Sequence, residues 1–240
     1  MARIILMVLR NLWIAPYLFW KLYYYANHTD NYSYEEKWSV IHKIMARATR
    51  SGNIDLKVTG RENLPEKDGF VLYGNHQGLF DVVALAGDCA RPLAAVLKKE
   101  LTDIPVLKQI RLCTKSFAMD REDVRQSLTV IQAVTKEVQS GRNYIIFPEG
   151  TRSKLGNQMV EFHSGSFRCA IKAKCPVVPI AFIDSFKVLD RKGSKPLSVQ
   201  MHYLEPIAYE EYKDMKTTEL AALVQERIRQ AIAQHLPDEN

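Results

Sequence analysis

Two short apolar runs, Phe70-Val71-Leu72-Tyr73 and Tyr144-Ile145-Ile146-Phe147, constrain this chain more than any other feature. Neither alternates apolar with polar residues, and each meets a breaker at once, Gly74-Asn75 after the first and Pro148 after the second. Runs this short, stopped this sharply, read as strands with both faces covered. Further strands are expected at Ile54 to Val58, Leu93 to Leu97, Val177 to Ile183 and Ser198 to Leu204, with a less regular one from Leu112 to Met119. Segments of helical period separate them. Val82 to Ala86 opens one; Glu122 to Gln139 aligns Leu128, Ile131 and Val138 and ends at Gly141; a shorter helix runs to Lys174; Thr217 to Leu236 aligns Leu220, Val224, Ile228 and Ile232. Strands alternating with helices predict an α/β fold: a mixed, mostly parallel sheet flanked by helices.

The strand ends carry the chemistry. His76 falls in the turn between the Phe70–Tyr73 strand and the following helix, at the carboxyl edge where open α/β sheets bind ligands. Asp81 lies five residues on, so a turn and a first helical turn fold the two side chains toward each other. A carboxylate holding one ring nitrogen leaves the other free to take a proton, the requirement for a general base. The second run enters Pro148-Glu149-Gly150-Thr151-Arg152-Ser153, where Gly permits close backbone approach and Thr151 and Arg152 offer a hydroxyl and a fork of donors for an oxyanion or phosphate.

These two stretches together resemble the glycerolipid acyltransferase family, whose members include the 1-acylglycerol-3-phosphate (lysophosphatidic acid) acyltransferases. Weaker matches follow in the family's order at Lys98-Lys99-Glu100-Leu101, Asp120-Arg121 and Val178-Pro179-Ile180, so the resemblance runs from about Gly69 to Ile183. It implies transfer of a fatty acyl group from a thioester, acyl-CoA or acyl carrier protein, to the free hydroxyl of 1-acylglycerol-3-phosphate, making phosphatidic acid. His76 is then the base and Asp81 its partner; Glu149, Gly150, Thr151, Arg152, Arg121 and Lys98 bind substrate. Backbone N–H groups near the Gly78 turn or the Gly150 loop are candidates for the oxyanion. No cofactor and no metal are expected beyond the acyl donor. One block departs from the family: where it shows Gly, two residues, Phe, two residues, Arg, this chain has Lys115, Ala118 and Arg121. That departure keeps a second acceptor class open, namely glycerol-3-phosphate, another lysophospholipid or a lipid amine. A non-enzymatic basic protein that binds lipid surfaces is a third reading.

The chain has 240 residues, enough for one α/β domain (53–240) with an appended N-terminal motif (1–52), and carries a net charge of +6 with a pI near 9.0. That balance favours an anionic partner. Basic residues are not interleaved with aromatics on any nucleic-acid module, so the partner expected is a membrane phospholipid surface rather than nucleic acid. From Ile4 to Tyr25 the sequence is rich in Ile, Leu, Trp, Phe and Tyr, interrupted by Arg3, Arg10 and Lys21, which share one side of a helical wheel. As one helix the run would reach roughly 33 Å, enough to cross a bilayer. Lying in the interface avoids burying Arg10, faces the basic stripe toward lipid phosphates and sinks Trp13, Phe19 and Trp20. With a second helix from Glu35 to Ser51 it forms an amphipathic hairpin, predicting a monotopic protein on the cytoplasmic face of a membrane. No cleavable signal is expected, because the apolar core from Ile4 to Leu9 is short. Cys89, Cys113, Cys169 and Cys175 lack paired spacing, which fits a reducing compartment. His163 has no spacing that requires a chemical role.

Overall fold

A computed structural model describes residues 2–120, 122–190 and 193–236. Its centre is a seven-stranded sheet of β1 (Ile54–Thr59), β2 (Val71–Gly74), β3 (Leu93–Lys98), β4 (Phe117–Met119), β5 (Asn143–Ile146), β6 (Val177–Ile183) and β7 (Leu197–Tyr203), in the order β1-β7-β6-β2-β5-β3-β4. Among these strands only the β6–β7 pairing is antiparallel. The sheet is therefore mixed and mostly parallel, as the strand and helix alternation predicts.

The absence of alternation in the apolar runs follows from burial on both faces. Phe70 and Leu72 of the β2 run point into one core with Ile145, Val178, Ile180 and Phe182, whereas Val71 and Tyr73 point into the other with Tyr144, Ile146 and Val177. The second face is covered by α6 (Val124–Gln139), α7 (Arg168–Ala173) and α10 (Thr217–His235), the last through Leu220, Val224, Ile228 and Ile232. Two four-residue helices, α8 (Lys187–Asp190) and α9 (Tyr209–Tyr212), flank β7 in sequence.

The first face is covered by α2 (Ala15–Asn27), α3 (Tyr34–Ser51), α4 (Phe80–Asp88) and α5 (Leu107–Thr114). A capping box starts α3: the Ser33 hydroxyl accepts the Glu36 N–H at 3.1 Å and the Glu36 carboxylate accepts the Ser33 N–H at 2.8 Å. Leu22, Tyr25, Trp38 and Ile41 join one core with Phe70, Leu72 and Phe80, so the N-terminal helices share the apolar interior under the sheet.

Three local expectations change. The run from Ile4 to Tyr25 is two helices, α1 (Ala2–Leu9) and α2, joined by a turn. Pro16 sits in the first turn of α2, where its ring is tolerated, but further inside a continuous helix it would clash with the carbonyl four residues back. Second, the basic stripe does not face outward as a unit. Arg3 is buried and donates to the carbonyls of Gly52, Asn53 and Lys195, while Arg10 donates to Ser51 O and Asn53 Oδ1. The apolar side faces out instead: Ile4, Ile5, Val8, Leu9 and Leu12, then Trp13, Tyr17 and Trp20, are exposed. Third, the stretch expected as an irregular strand from Leu112 begins as the end of α5, and only Phe117–Met119 pairs with β3. Its first half keeps helical period, with Ile110 and Cys113 turned to the core. Among the described residues no helix is long and apolar enough to cross a membrane.

Candidate active site

Because β2, β5, β3 and β4 are parallel, their carboxyl ends share one edge. His76 follows β2 there and Glu149 follows β5. His76 Nδ1 is 2.7 Å from Asp81 Oδ2, and Asp81 is fully buried at the start of α4. The same carboxylate oxygen accepts the N–H groups of Gln77 at 2.8 Å and Gly78 at 3.0 Å; the other accepts the Ser185 hydroxyl. Three hydrogen bonds to Oδ2 and one to Oδ1 hold the carboxylate against the imidazole. No protein group among the described residues bonds the ring's other nitrogen, and the side chain keeps 16 % of its surface exposed. The ring stacks on Phe147 with centroids 4.2 Å apart, which fixes its plane.

The second loop is tied to this turn through its backbone. Glu149 Oε1 accepts the His76 N–H at 2.8 Å, Glu149 Oε2 accepts the Val160 N–H at 3.2 Å, and the Ser153 N–H donates to His76 O at 2.9 Å. Glu149 is buried, and burial raises its carboxyl above the usual range, opposed by those two N–H donors. It thus organises the loop. Gly150 adopts φ 69°, a left-handed turn that a side chain would strain. Thr151 and Arg152 project from that turn, both exposed, and Arg152 has no ion pair among the described residues.

The other expected substrate-binding residues divide. Lys98 ends β3 at the same sheet edge but is paired with Glu100 at 2.9 Å, an exposed ion pair of small net worth. Arg121 lies outside the described residues. Lys115, which stands where the family shows Gly, caps α5 at φ 55° and ψ 36°, the left-handed geometry that glycine adopts without strain. The backbone shape at that position is therefore kept despite the changed side chain. The N–H groups of Gly78 and Gly150 themselves are taken, by Asp81 and by Phe147 O at 3.1 Å.

Asn75 belongs to the Asn75-His76 motif, but its supporting role and the other supports are not legible in the sequence. Asn75 exchanges hydrogen bonds with the Phe182 backbone at 2.9 and 2.8 Å, locking the turn to β6. Gln77 accepts the Ser185 N–H at 3.0 Å and donates to Asn157 at 2.8 Å. Asn157 lies just past the Phe147–Ser153 stretch and Ser185 just past β6, but neither belongs to a motif, and only the adjacency of β2 and β6 signals Ser185. An apolar cavity of about 400 Å³ also opens beside the site, between Phe147 and Pro148 at one end and Val96, Met119, Leu128 and Ile131 along its walls.

An imidazole–carboxylate pair thus stands at the sheet's carboxyl edge, with the Arg152 loop beside it and an apolar cavity adjoining. Residues 55–183 match the model of the Acyltransferase family, and the chain belongs to that family. It is 34 % identical over 173 residues to a 1-acyl-sn-glycerol-3-phosphate acyltransferase of Salmonella typhimurium, covering 70 % of this chain and 69 % of that one. A protein of the same description from Helicobacter pylori is 29 % identical over 167 residues, covering 69 % of each chain. The crystal structure of the 1-acyl-sn-glycerophosphate acyltransferase PlsC from Thermotoga maritima shares the fold, with a TM-score of 0.71 at 23 % identity over 95 % of this chain and 97 % of that one.

Proposed function

We propose that this protein moves a fatty acyl group from acyl-CoA or acyl carrier protein to the free hydroxyl of 1-acylglycerol-3-phosphate, forming phosphatidic acid. The observation that carries the reading is the buried Asp81, itself held by Gln77, Gly78 and Ser185, bonding His76 while the other ring nitrogen has no partner among the described residues. Through that nitrogen His76 takes the hydroxyl proton as the alcohol oxygen attacks the thioester carbon. The tetrahedral intermediate collapses by breaking the C–S bond, and the imidazolium returns its proton to the thiolate. Asp81 stabilises the transient cation. A positioned base of this kind supplies roughly 10²- to 10⁴-fold.

Arg152, exposed and without a carboxylate partner among the described residues, supplies the charge for the acceptor phosphate, with Thr151 beside it and Arg121 and Lys98 as further cations. Glu149 acts through the backbone it bonds rather than on the acceptor. The apolar cavity beside Phe147 receives the acyl chain, which keeps the hydrocarbon out of water while the thioester carbon lies near His76. The exposed apolar faces of α1 and α2 lay the protein on a membrane, where acceptor and product reside.

Free-thiol release from both donor types, measured across 1-acylglycerol-3-phosphate, glycerol-3-phosphate, other lysophospholipids and lipid amines, tests this reading. Strongest activity on 1-acylglycerol-3-phosphate is expected; strongest activity on a phosphate-free acceptor would remove the roles given to Arg121 and Arg152. The Lys115 and Ala118 departures are the reason the other acceptors belong in the panel.

A further inference from the structure

Where α1 ends and α3 terminates, Arg10, Asn11, Arg47, Arg50 and Ser51 surround a depression of about 250 Å³. Its cations are spread over 40 residues of sequence, so the fold, not a local charge run, collects them. None of the three arginines has a carboxylate partner among the described residues. Cations near a helix C-terminus ordinarily answer its unpaired carbonyls. Here Arg10 alone does so, through Ser51 O at 3.0 Å. Arg47 uses only Nε, toward Asn11 Oδ1 at 3.0 Å, and its guanidinium lies over the Trp13 ring at 4.8 Å, leaving its outer nitrogens open. Arg50 is exposed and makes no hydrogen bond to the described residues.

The depression has a second, independent property: it borders the apolar surface. Leu9, Leu12 and Trp13, immediately before and after Arg10 and Asn11, are exposed. A ligand seated among the arginines would therefore extend an apolar portion over those side chains. Free inorganic anions have no such portion, and an acidic protein surface would leave Leu9, Leu12 and Trp13 uncovered by hydrocarbon. Planar guanidinium groups without acidic partners match a phosphate's oxygens, and the apolar border matches acyl tails.

We propose that Arg10, Arg47 and Arg50 form a seat for the phosphate of an anionic membrane phospholipid, separate from the reaction centre, that anchors and orients the protein on the bilayer. This rests on the membrane-lying reading of α1 and α2. The seat holds the α1–α2 turn at headgroup depth while Trp13 and Trp20 reach the acyl boundary. The carboxyl edge of the sheet is then held at one fixed height relative to the lipid.

The test is flotation of the full chain with vesicles of phosphatidylcholine alone and of phosphatidylcholine containing about one third phosphatidylglycerol, at fixed ionic strength, since nonspecific attraction is worth roughly a fivefold change per cation. Wild type is compared with Arg47→Gln/Arg50→Gln, and with Lys136→Gln/Lys172→Gln, which removes the same charge from helices on the other sheet face. The seat predicts that the arginine pair loses at least about 25-fold of the anionic-lipid enhancement and keeps its binding to phosphatidylcholine, while the lysine pair changes little. The single variant Arg50→Gln, whose side chain supports no hydrogen bond of the fold, is expected to lose at least fivefold with an unchanged circular dichroism spectrum. Thioester turnover on detergent-dispersed acceptor stays the same in all of them. Equal losses in the two double variants would overturn the seat while leaving the membrane reading intact. Failure of the wild type to float with either vesicle would overturn both.

Discussion

The His76 backbone N–H donates a 2.8 Å bond to the buried Glu149 carboxylate, so the loop that presents Arg152 and the turn that presents the imidazole are parts of one hydrogen-bonded unit. The glutamate of the second motif is thereby a positioning residue for the first. Glu149→Gln retains one acceptor oxygen and must lose one of the two N–H bonds. A fall of roughly 10- to 100-fold in kcat is expected with little change in the acceptor KM, because geometry rather than binding is lost. A change confined to KM would assign Glu149 to the acceptor instead.

The same residue makes a prediction about pH. Burial raises the Glu149 carboxyl, so its folded-state value lies above the unfolded carboxylate value of about 4.3. The folded state then binds the proton more tightly. The stability this group contributes is present below the unfolded value and is lost as pH rises through the folded one. Urea midpoints measured from pH 4 to 7 should show this component in the wild type and lose it in Glu149→Gln.

His202 behaves in the opposite sense. Its ring lies 3.9 Å from that of His235, it accepts or donates a bond with Thr59 at 2.7 Å, and burial, with the His235 charge, pushes it down to about 4. Its folded value is depressed below the ordinary 6.5, so its contribution is present above that pH and is lost as pH falls toward about 4. Melting temperatures across this window should fall for the wild type and fall less for His202→Gln.

Ser185→Ala removes the hydroxyl that donates to Asp81, leaving a buried carboxylate oxygen without that partner. A loss of about 1–3 kcal/mol in stability is expected, together with a roughly tenfold lower kcat from a less firmly held imidazole. Asp81→Asn should be more severe, on the order of 10²- to 10⁴-fold in kcat, because an amide cannot stabilise the imidazolium. Unfolding in urea and steady-state thiol release separate the two effects.

Local pattern was informative wherever period and breakers agreed. The β2 and β5 runs, the helix capped by Asp123 and the closing helix with its Leu220, Val224, Ile228 stripe all lie within a few residues of expectation. Apolar content in the run from Ile4 cannot report a turn; Pro16 signals a kink, and the structure makes it a break between α1 and α2. Leu112 to Met119 failed for a similar reason, since a short apolar stretch fits either period. At the site, His76, Asp81 and the Glu149–Arg152 loop were legible because each sits within a few residues of a strand end. Ser185, Asn157 and the Phe147 stack were not, because what brings them in is the neighbouring of β6, β2 and β5, a property of strand order.

The most direct measurement compares wild type with His76→Ala, and with Arg152→Ala, for thiol release from acyl-CoA and acyl carrier protein on 1-acylglycerol-3-phosphate. Circular dichroism of each variant is recorded alongside. Proton abstraction by His76 predicts a folded His76→Ala protein with activity lower by at least 10²- to 10⁴-fold, and an Arg152→Ala protein whose main change is a raised acceptor KM. Normal turnover from folded His76→Ala would contradict the assignment of the base and, with it, the reaction built on it.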